Sequence, residues 1–454
     1  MVPQGRKHAP SSPRPQIENL TPGRLATPLV AHHPPSDALT TDPVPNPAAR
    51  PQDTVAQRFA LIREPNFRRM WIIGGASMGL QWLEMLAGGI FVFAYTQSGV
   101  AVIFVTLARA APMVIFGMVA GGLADRMSRR NLLVGGYSML IGTAAVLGIL
   151  AETDTITPWH VGIGMFLTGV VFSMEFPIRR NLLGEFAGMD RIATAMGLDS
   201  IARNGMRIIG PLAAGALMQF VGIEGVYFLS MVIYAFIVYL LLRVDDRPAR
   251  AEAGGPSLMS TIVEGVRFAR SDRAVLGLLA ITIVMNIWAF PYIAMIPVLG
   301  HERLGLTEFP IGILAATEGF GGLIGAFLIA ARGSAWAGIY RKLYFYGSCV
   351  FMVAIVGFSV SLWFEASLLI LLLGGIGVAG FSTMQGTLPF VVAPPAMRAR
   401  VLGLLSVSIG TGPIGILHLG LMVTLFGPSL ATTIIGIEGL IAMALVWLWI
   451  KEVR

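Results

Sequence analysis

The chain of 454 residues is 55% hydrophobic and only 13% charged, with a formal net charge of +7. Soluble domains carry roughly a quarter charged residues, so this composition, with a mean hydropathy of +0.74, excludes a water-soluble fold and indicates a polytopic membrane protein. The cations sit in short loops between apolar runs instead of one patch, which argues against a nucleic-acid partner.

Residues 1–55 hold twelve prolines, from Pro3 to Pro51, among Ser, Thr, Ala and Arg. Such a segment buries too little apolar surface to fold and is expected to be a disordered cytoplasmic tail. It contains no apolar h-region, so no cleavable signal peptide is expected. From Trp71 onward, runs of about 20 apolar residues recur, each matching a bilayer core of roughly 30 Å. They fall near 71–95, 101–122, 132–150, 158–178, 194–221, 226–242, 275–298, 309–331, 343–363, 367–390, 401–426 and 430–450. Backbone polar groups in lipid must be satisfied internally, so these spans are predicted to be helices. The 54 glycines suit close helix packing and hinge positions alike.

Placing the amino terminus inside sends Arg126, Arg129, Arg130, Arg179, Arg180, Arg191, Arg243, Arg247, Arg250, Arg267, Arg270, Arg273, Arg332, Arg341, Lys342, Arg398 and Arg400 to the inner loops. The outer loops then receive one cation, Arg303, and the acids Glu152, Asp154, Glu224, Glu302, Glu308 and Glu365. This asymmetry predicts that both termini are cytoplasmic. A weak repeat suggests duplication: Gly197, Leu198, Ser200, Gly215 and Gly222 recur as Gly403, Leu404, Ser406, Gly420 and Gly427, offset by 205–206 residues. The expected organisation is a tail (1–55), an N-terminal six-helix half (56–243), a cytoplasmic linker (244–273) and a C-terminal six-helix half (274–454). Within the linker, Leu258, Ile262, Val263 and Val266 form an amphipathic stretch expected to lie along the inner membrane surface.

Between the second and third runs stands Gly121-Gly122-Leu123-Ala124-Asp125-Arg126-Met127-Ser128-Arg129-Arg130. This loop resembles the signature of the major facilitator superfamily of secondary transporters, with Ser128 in place of its second glycine. Three further segments are similar to the drug:proton antiporter and enterobactin exporter branch. They are Asn66-Phe67-Arg68-Arg69-Met70-Trp71, Arg207-Ile208-Ile209-Gly210-Pro211 with Gly215, and Arg398-Ala399-Arg400-Val401-Leu402-Gly403. Ala214 and Ala399 stand where that branch has glycine. The resemblance covers about 390 residues, from Asn66 onward. It implies an all-α membrane protein, a bundle of 12 transmembrane helices in two pseudo-symmetric six-helix halves, with spans one, four, seven and ten around a central cavity. It also implies a conformational gate on the inner side, built from Gly121, Asp125, Arg126, Arg129 and Arg130, with Gly210-Pro211 in span five.

An ionisable group inside a span is costly and should face a cavity or a partner. Glu84, near the middle of span one, is read as the proton-coupling or substrate-contacting acid, the alternative being a structural ion pair with Arg109 at similar depth. Arg109 either pairs with Glu84 or with backbone carbonyls, or meets an anionic substrate. Glu318, in the middle of span eight, is the second acid candidate, in a span that the resemblance puts at the interface between halves. His418, deep in span eleven, is a proton relay or a packing histidine; Glu438 in span twelve is expected in a structural pair. Asp199, Arg203 and Arg207 share one face of span five at i, i+4, i+8 and are read as a gate of ion pairs or a static ladder. Glu175 and Arg179 have the same spacing and are expected to pair at a helix end. Asn286, Trp288, Phe290 and Tyr292 in span seven, with Gln385 in span ten, offer aromatic faces and hydrogen-bonding groups to a cargo, or serve packing.

Nothing suggests an enzyme. There is no Gly-rich Lys-Ser/Thr phosphate loop for ATP, no metal-ligand spacing and no expected cofactor; the single cysteine, Cys349, rules out an intrachain disulfide. The reading is a monomeric, proton-coupled secondary transporter of the bacterial inner membrane, with lipid, protons and a small-molecule substrate as partners. By alternating access it exports a small amphipathic organic molecule. Two alternatives stay open: an exporter of an anionic metabolite or siderophore, held by Arg109, Arg203 and Arg207, and a non-transporting membrane sensor or assembly partner.

Overall fold

Pro65 opens the first long helix, α1 (Pro65–Thr96), because its ring presets a helical φ and its missing N–H would be unpaired in a first turn anyway. The helix therefore starts six residues before the apolar run that marks it in the sequence. The computed structural model describes residues 61–124, 128–188, 191–245, 267–332, 336, 338–394 and 397–451. Asp125, Arg126 and the amphipathic stretch from Leu258 to Val266 lie outside these residues, as does the N-terminal tail.

α1 ends at Gln97, whose φ of 49° turns the chain left-handed. α2 (Gly99–Ala124) follows, and Gly121 falls near its end. Ser128 starts α3 (Arg129–Glu152): its hydroxyl accepts from the Asn131 N–H at 3.2 Å. The serine that replaces a glycine in the signature loop thus serves as an N-cap. A reciprocal Thr157–His160 capping box begins α4 (Pro158–Ala187). α5 (Ile192–Phe220) and α6 (Ile223–Leu242) complete the first set.

In the second set, the Asp272 side chain accepts from the N–H groups of Ala274 and Val275 and caps α7, which runs from Arg273 to Glu302. Four segments make up α7: α-helix at Arg273–Val284, π-helix at Met285–Ala289, a 3-10 stretch at Phe290–Met295, and α-helix again at Ile296–Glu302. Pro291 explains the change of winding, since it supplies no N–H and its ring displaces the carbonyl four residues back, that of Ile287. α8 (Glu308–Arg332), α9 (Tyr340–Val360) and α10 (Phe364–Val392) are continuous. α11 breaks before Pro413, running as Arg398–Ile409 and then Gly412–Phe426, and α12 (Pro428–Trp449) ends the bundle.

Among the described residues there is no strand, and ten helices are long and apolar enough to cross a membrane. α2 adds a shorter apolar run, Gly99–Met113, while α5 is made less apolar by Asp199, Arg203, Asn204 and Arg207. In the first set, α2 packs on α4, α3 on α6, and α1 on α5 and α6; in the second, α10 packs on α8 and α9, and α9 on α12. The main seams between the sets are α5 against α8 and α2 against the later part of α11, with lighter contact between α1 and α7. Gly215 and Gly312 make the first seam close. A Cβ on Gly215 would stand 2.7 Å from the Glu308 carbonyl and 2.9 Å from Gly312 Cα. Small residues let membrane helices approach in this way.

Candidate functional site

The contacts joining the two sets gather toward one end of the bundle. Phe220 meets Phe309 with ring centroids 6.3 Å apart, and Phe93 meets His301 at 5.9 Å. Gln219 accepts from the Thr307 hydroxyl at 3.1 Å and the Phe309 N–H at 3.0 Å. Gly99 approaches Val298, Val423 and Pro428, and Gly89 approaches Pro297. Behind this closure lies a narrow cleft between the two sets. Its walls are apolar: Trp82, Met85 and Leu86 from α1, Ile293 and Ala294 from α7, with Pro211 from α5.

One carboxylate lines that cavity, Glu318 of α8, only 2% exposed. It accepts from the guanidinium of Arg207, across the seam on α5, and from the Tyr292 hydroxyl of α7 at 2.7 Å. The Arg207 guanidinium also sits over the Trp82 indole, 5.2 Å from its centroid. Gly210 makes room for this arrangement, since a Cβ there would lie 2.6 Å from that of Trp82. Three of the sequence candidates, Glu318, Tyr292 and Arg207, thus meet at one point. Trp82, which the sequence reading passed over, is the fourth member. Chemically the cluster is a carboxylate held by two donors, one of them a guanidinium, at the edge of an apolar cleft.

Glu84 lies elsewhere. It is turned into the first set's own interior, beside a small cavity lined by α3, α4 and α6. Tyr234 donates to its carboxylate at 2.9 Å and Thr168 stands at 3.3 Å. Of the alternatives for Arg109, the contact is to a backbone carbonyl and not to Glu84: Arg109 donates to the Gln81 carbonyl and side-chain oxygen, both at 2.9 Å. Register along α1 keeps Glu84 away from the cleft between the sets. Residues 82, 85, 86 and 89 face the cavity between the sets, which leaves 81 and 84 on the opposite side.

The α5 ladder also divides. Asp199, 1% exposed, takes Arg179 of α4 at 2.5 Å and lies 3.1 Å from Arg203, while Arg207 points across the seam. Arg179 also donates to Glu175 at 2.6 Å. Glu175 and Arg179 are 2% and 1% exposed, so they are a buried tie between α4 and α5 and not a helix-end pair. Arg129 pairs with Glu185 at 2.5 Å, and Arg130 donates to the Val244 carbonyl at 3.3 Å.

In the second set, His418 meets Glu438 at 2.5 Å, and the Trp288 indole donates to the same carboxylate oxygen at 3.0 Å. Asn286 donates to the Thr282 carbonyl at 2.9 Å. Gln385 bonds the Tyr344 hydroxyl. Phe290 packs between Phe351 and Phe381. Of the span-seven aromatics, Tyr292 alone among the candidates reaches the cavity acid.

Comparison with known proteins gives the family. Residues 56–452 match the model of the family described as transmembrane secretion effector. Macrolide efflux protein A of Enterococcus faecalis is 21% identical over 249 residues, which is 54% of this chain and 75% of that one. The staphyloferrin A transporter of Staphylococcus aureus is 23% identical over 368 residues, 79% of this chain and 89% of that one. Among solved structures, a D-xylose–proton symporter superposes with a TM-score of 0.65 at 13% identity, covering 85% of this chain and 97% of that one.

Proposed function

The chain belongs to the transmembrane secretion effector family of the major facilitators, and from that premise we propose a proton-coupled exporter of small amphipathic organic molecules that works by alternating access. The observation that carries the reading is the bond from Arg207 to Glu318 across the seam, at the edge of an apolar cavity. We read the helices as twelve spans in two halves, 56–243 and 274–454, with both termini in the cytoplasm of a bacterial cell and the protein acting as a monomer in the inner membrane. On the positive-inside rule, the closed end is the outer one.

Mechanism follows from the state of one carboxylate. Ionised, Glu318 holds Arg207 and keeps the outer end shut. A proton arriving from outside removes the ionic attraction, and the Arg207 guanidinium falls back on Trp82 alone. A cation over an aromatic ring is worth about 0.5–2 kcal/mol, less than a buried ion pair whose disruption costs about 3–5 kcal/mol. Proton uptake therefore shifts the balance between the two ways the halves can pack. Once the two sets part, the apolar walls are free to accept the body of an amphipathic cargo, as binding cavities generally do.

The test uses inside-out proteoliposomes, an imposed pH gradient, and ethidium and carboxyfluorescein as cargoes. Glu318→Gln keeps the shape and the Tyr292 contact but cannot ionise. Gradient-driven uptake of the transported dye is expected to be lost while dye-for-dye exchange continues. Full gradient-driven uptake in that variant would remove Glu318 from the coupling step.

A further inference from the structure

Phe176 on α4 carries two guanidinium groups. Arg180 Cζ lies 5.2 Å from the ring centroid and Arg203 Cζ 5.9 Å. The two cations have different company. Arg203 has Asp199 at 3.1 Å, with 27% of its side chain exposed. Arg180, partly exposed, donates to the Met196 sulfur at 3.8 Å, and among the described residues no oxygen accepts from it. The charges that act on Arg180 are those of Arg203, Arg179 and Asp199.

Charge balance sharpens the point. Arg179 uses both nearby carboxylates, donating to Glu175 and Asp199, and Arg203 shares the second. Three guanidinium groups thus stand against two carboxylates, and the surplus rests on Arg180. A guanidinium has five N–H donors in a planar fork suited to carboxylate and phosphate. Holding one beside a second cation and a ring, in a membrane helix, is costly unless an anion visits.

We propose that Arg180 and Arg203, flanking Phe176, form a binding site for an oxyanion, a carboxylate or phosphate carried by the cargo, between α4 and α5 on the inner side of Arg207. The inference deepens the export reading by naming an acidic cargo group, and needs that reading only for the direction of movement. One turn of α5 separates Arg203 from Arg207, so the anion is handed toward the cavity that Glu318 lines. A lipid headgroup phosphate has the same chemistry, and the experiment separates the two sources.

Binding is measured directly, without a gradient. Carboxyfluorescein anisotropy is followed on the detergent-solubilised carrier, with citrate as competitor, for the native chain, Arg180→Gln and Arg180→Lys. The expected result is saturable, citrate-sensitive binding, weakened at least tenfold in Arg180→Gln and partly restored in Arg180→Lys, with ethidium binding unchanged. Tenfold corresponds to about 1.4 kcal/mol, the low end for a hydrogen bond to a charged group. Absence of saturable binding by the native chain, or equal loss of both dyes in the variant, overturns the site. Repeating the measurement in nanodiscs with and without phosphatidylglycerol gives the second arm. If Arg180→Gln abolishes only a dependence on phosphatidylglycerol and leaves dye affinity intact, the site holds lipid and the cargo assignment is overturned. Loss of gradient-driven transport with these affinities intact would speak against the coupling reading alone.

Discussion

Gly74 is where a single missing methyl matters most for the buried charges. A Cβ there would stand 2.7 Å from Arg179 Cζ, and that guanidinium cannot swing away because Glu175 and Asp199 hold it from two helices. Gly74→Ala is expected to destabilise the protein by about 1–3 kcal/mol, the usual range for overpacking, read as a lower thermal midpoint in detergent. Arg179→Met should cost more, about 3–5 kcal/mol, because it strands the buried Glu175 carboxylate and leaves Asp199 with Arg203 alone. An Arg179→Met variant as stable as the native chain would mean that the tie is dispensable. The sequence makes these ionisable groups conspicuous, and the i, i+4 spacing correctly pairs Arg179 with Glu175 and Arg203 with Asp199. It is silent on partners far along the chain: Arg207 meets Glu318 111 residues away, and no periodicity encodes that distance. The facing of Glu84 is hidden for another reason. α1 is apolar almost all round, so no polar stripe says that Trp82 turns to one cavity and Glu84 to the other.

At the scale of whole helices, the informative feature is the change of winding in α7. Hydropathy reads 275–298 as one uniform span because it scores side chains, whereas the break comes from an amide N–H that Pro291 lacks. Gly415 of α11 fits against the freed turn: a Cβ there would collide with the Ile287 carbonyl and stand 2.7 Å from that of Asn286. Pro291→Ala would return an N–H to Ile287, favouring a straight helix by up to about 3 kcal/mol, at the expense of this fit. Expected is a carrier that still binds dye but turns over at least several-fold more slowly, measured in proteoliposomes. Unchanged turnover would show that the winding of α7 plays no part in the cycle. At the α5–α8 seam the corresponding change is Gly215→Val, whose side chain has no room beside Gly312 and Glu308. It should hold the seam open and raise the exposure of Phe220 and Phe309, detectable as faster maleimide labelling of a cysteine placed at Thr307. The Gly-Pro pair of α5 was visible in the sequence; the Gly215–Gly312 approach was not, because glycine is too common here to single out one contact.

For the molecule as a whole, the two sets of helices meet where Phe93, Gln219 and Phe220 face His301, Thr307 and Phe309, while Arg180 and Arg203 lie on the other side of the Arg207–Glu318 bond. A carrier that works by alternating access must break this closure once in every cycle. Cys349 is the single cysteine, so Cys349→Ser supplies a background in which Phe220→Cys and Phe309→Cys can be joined. Their rings pack against each other, 6.3 Å apart by centroid, so a short bismaleimide can bridge the introduced thiols, and a direct disulfide forms only where the Cβ atoms come within about 4.5 Å. Linking is expected to stop gradient-driven dye transport completely, and reduction of a directly formed disulfide to restore it. Binding from the inner side should survive the link, since the Arg180 site stays accessible with the outer end shut. Transport that continues at the native rate with the two helices covalently joined is the one outcome a rocking pair of halves cannot accommodate. It would require the cargo to move through a path inside a single half, such as the cavity beside Glu84.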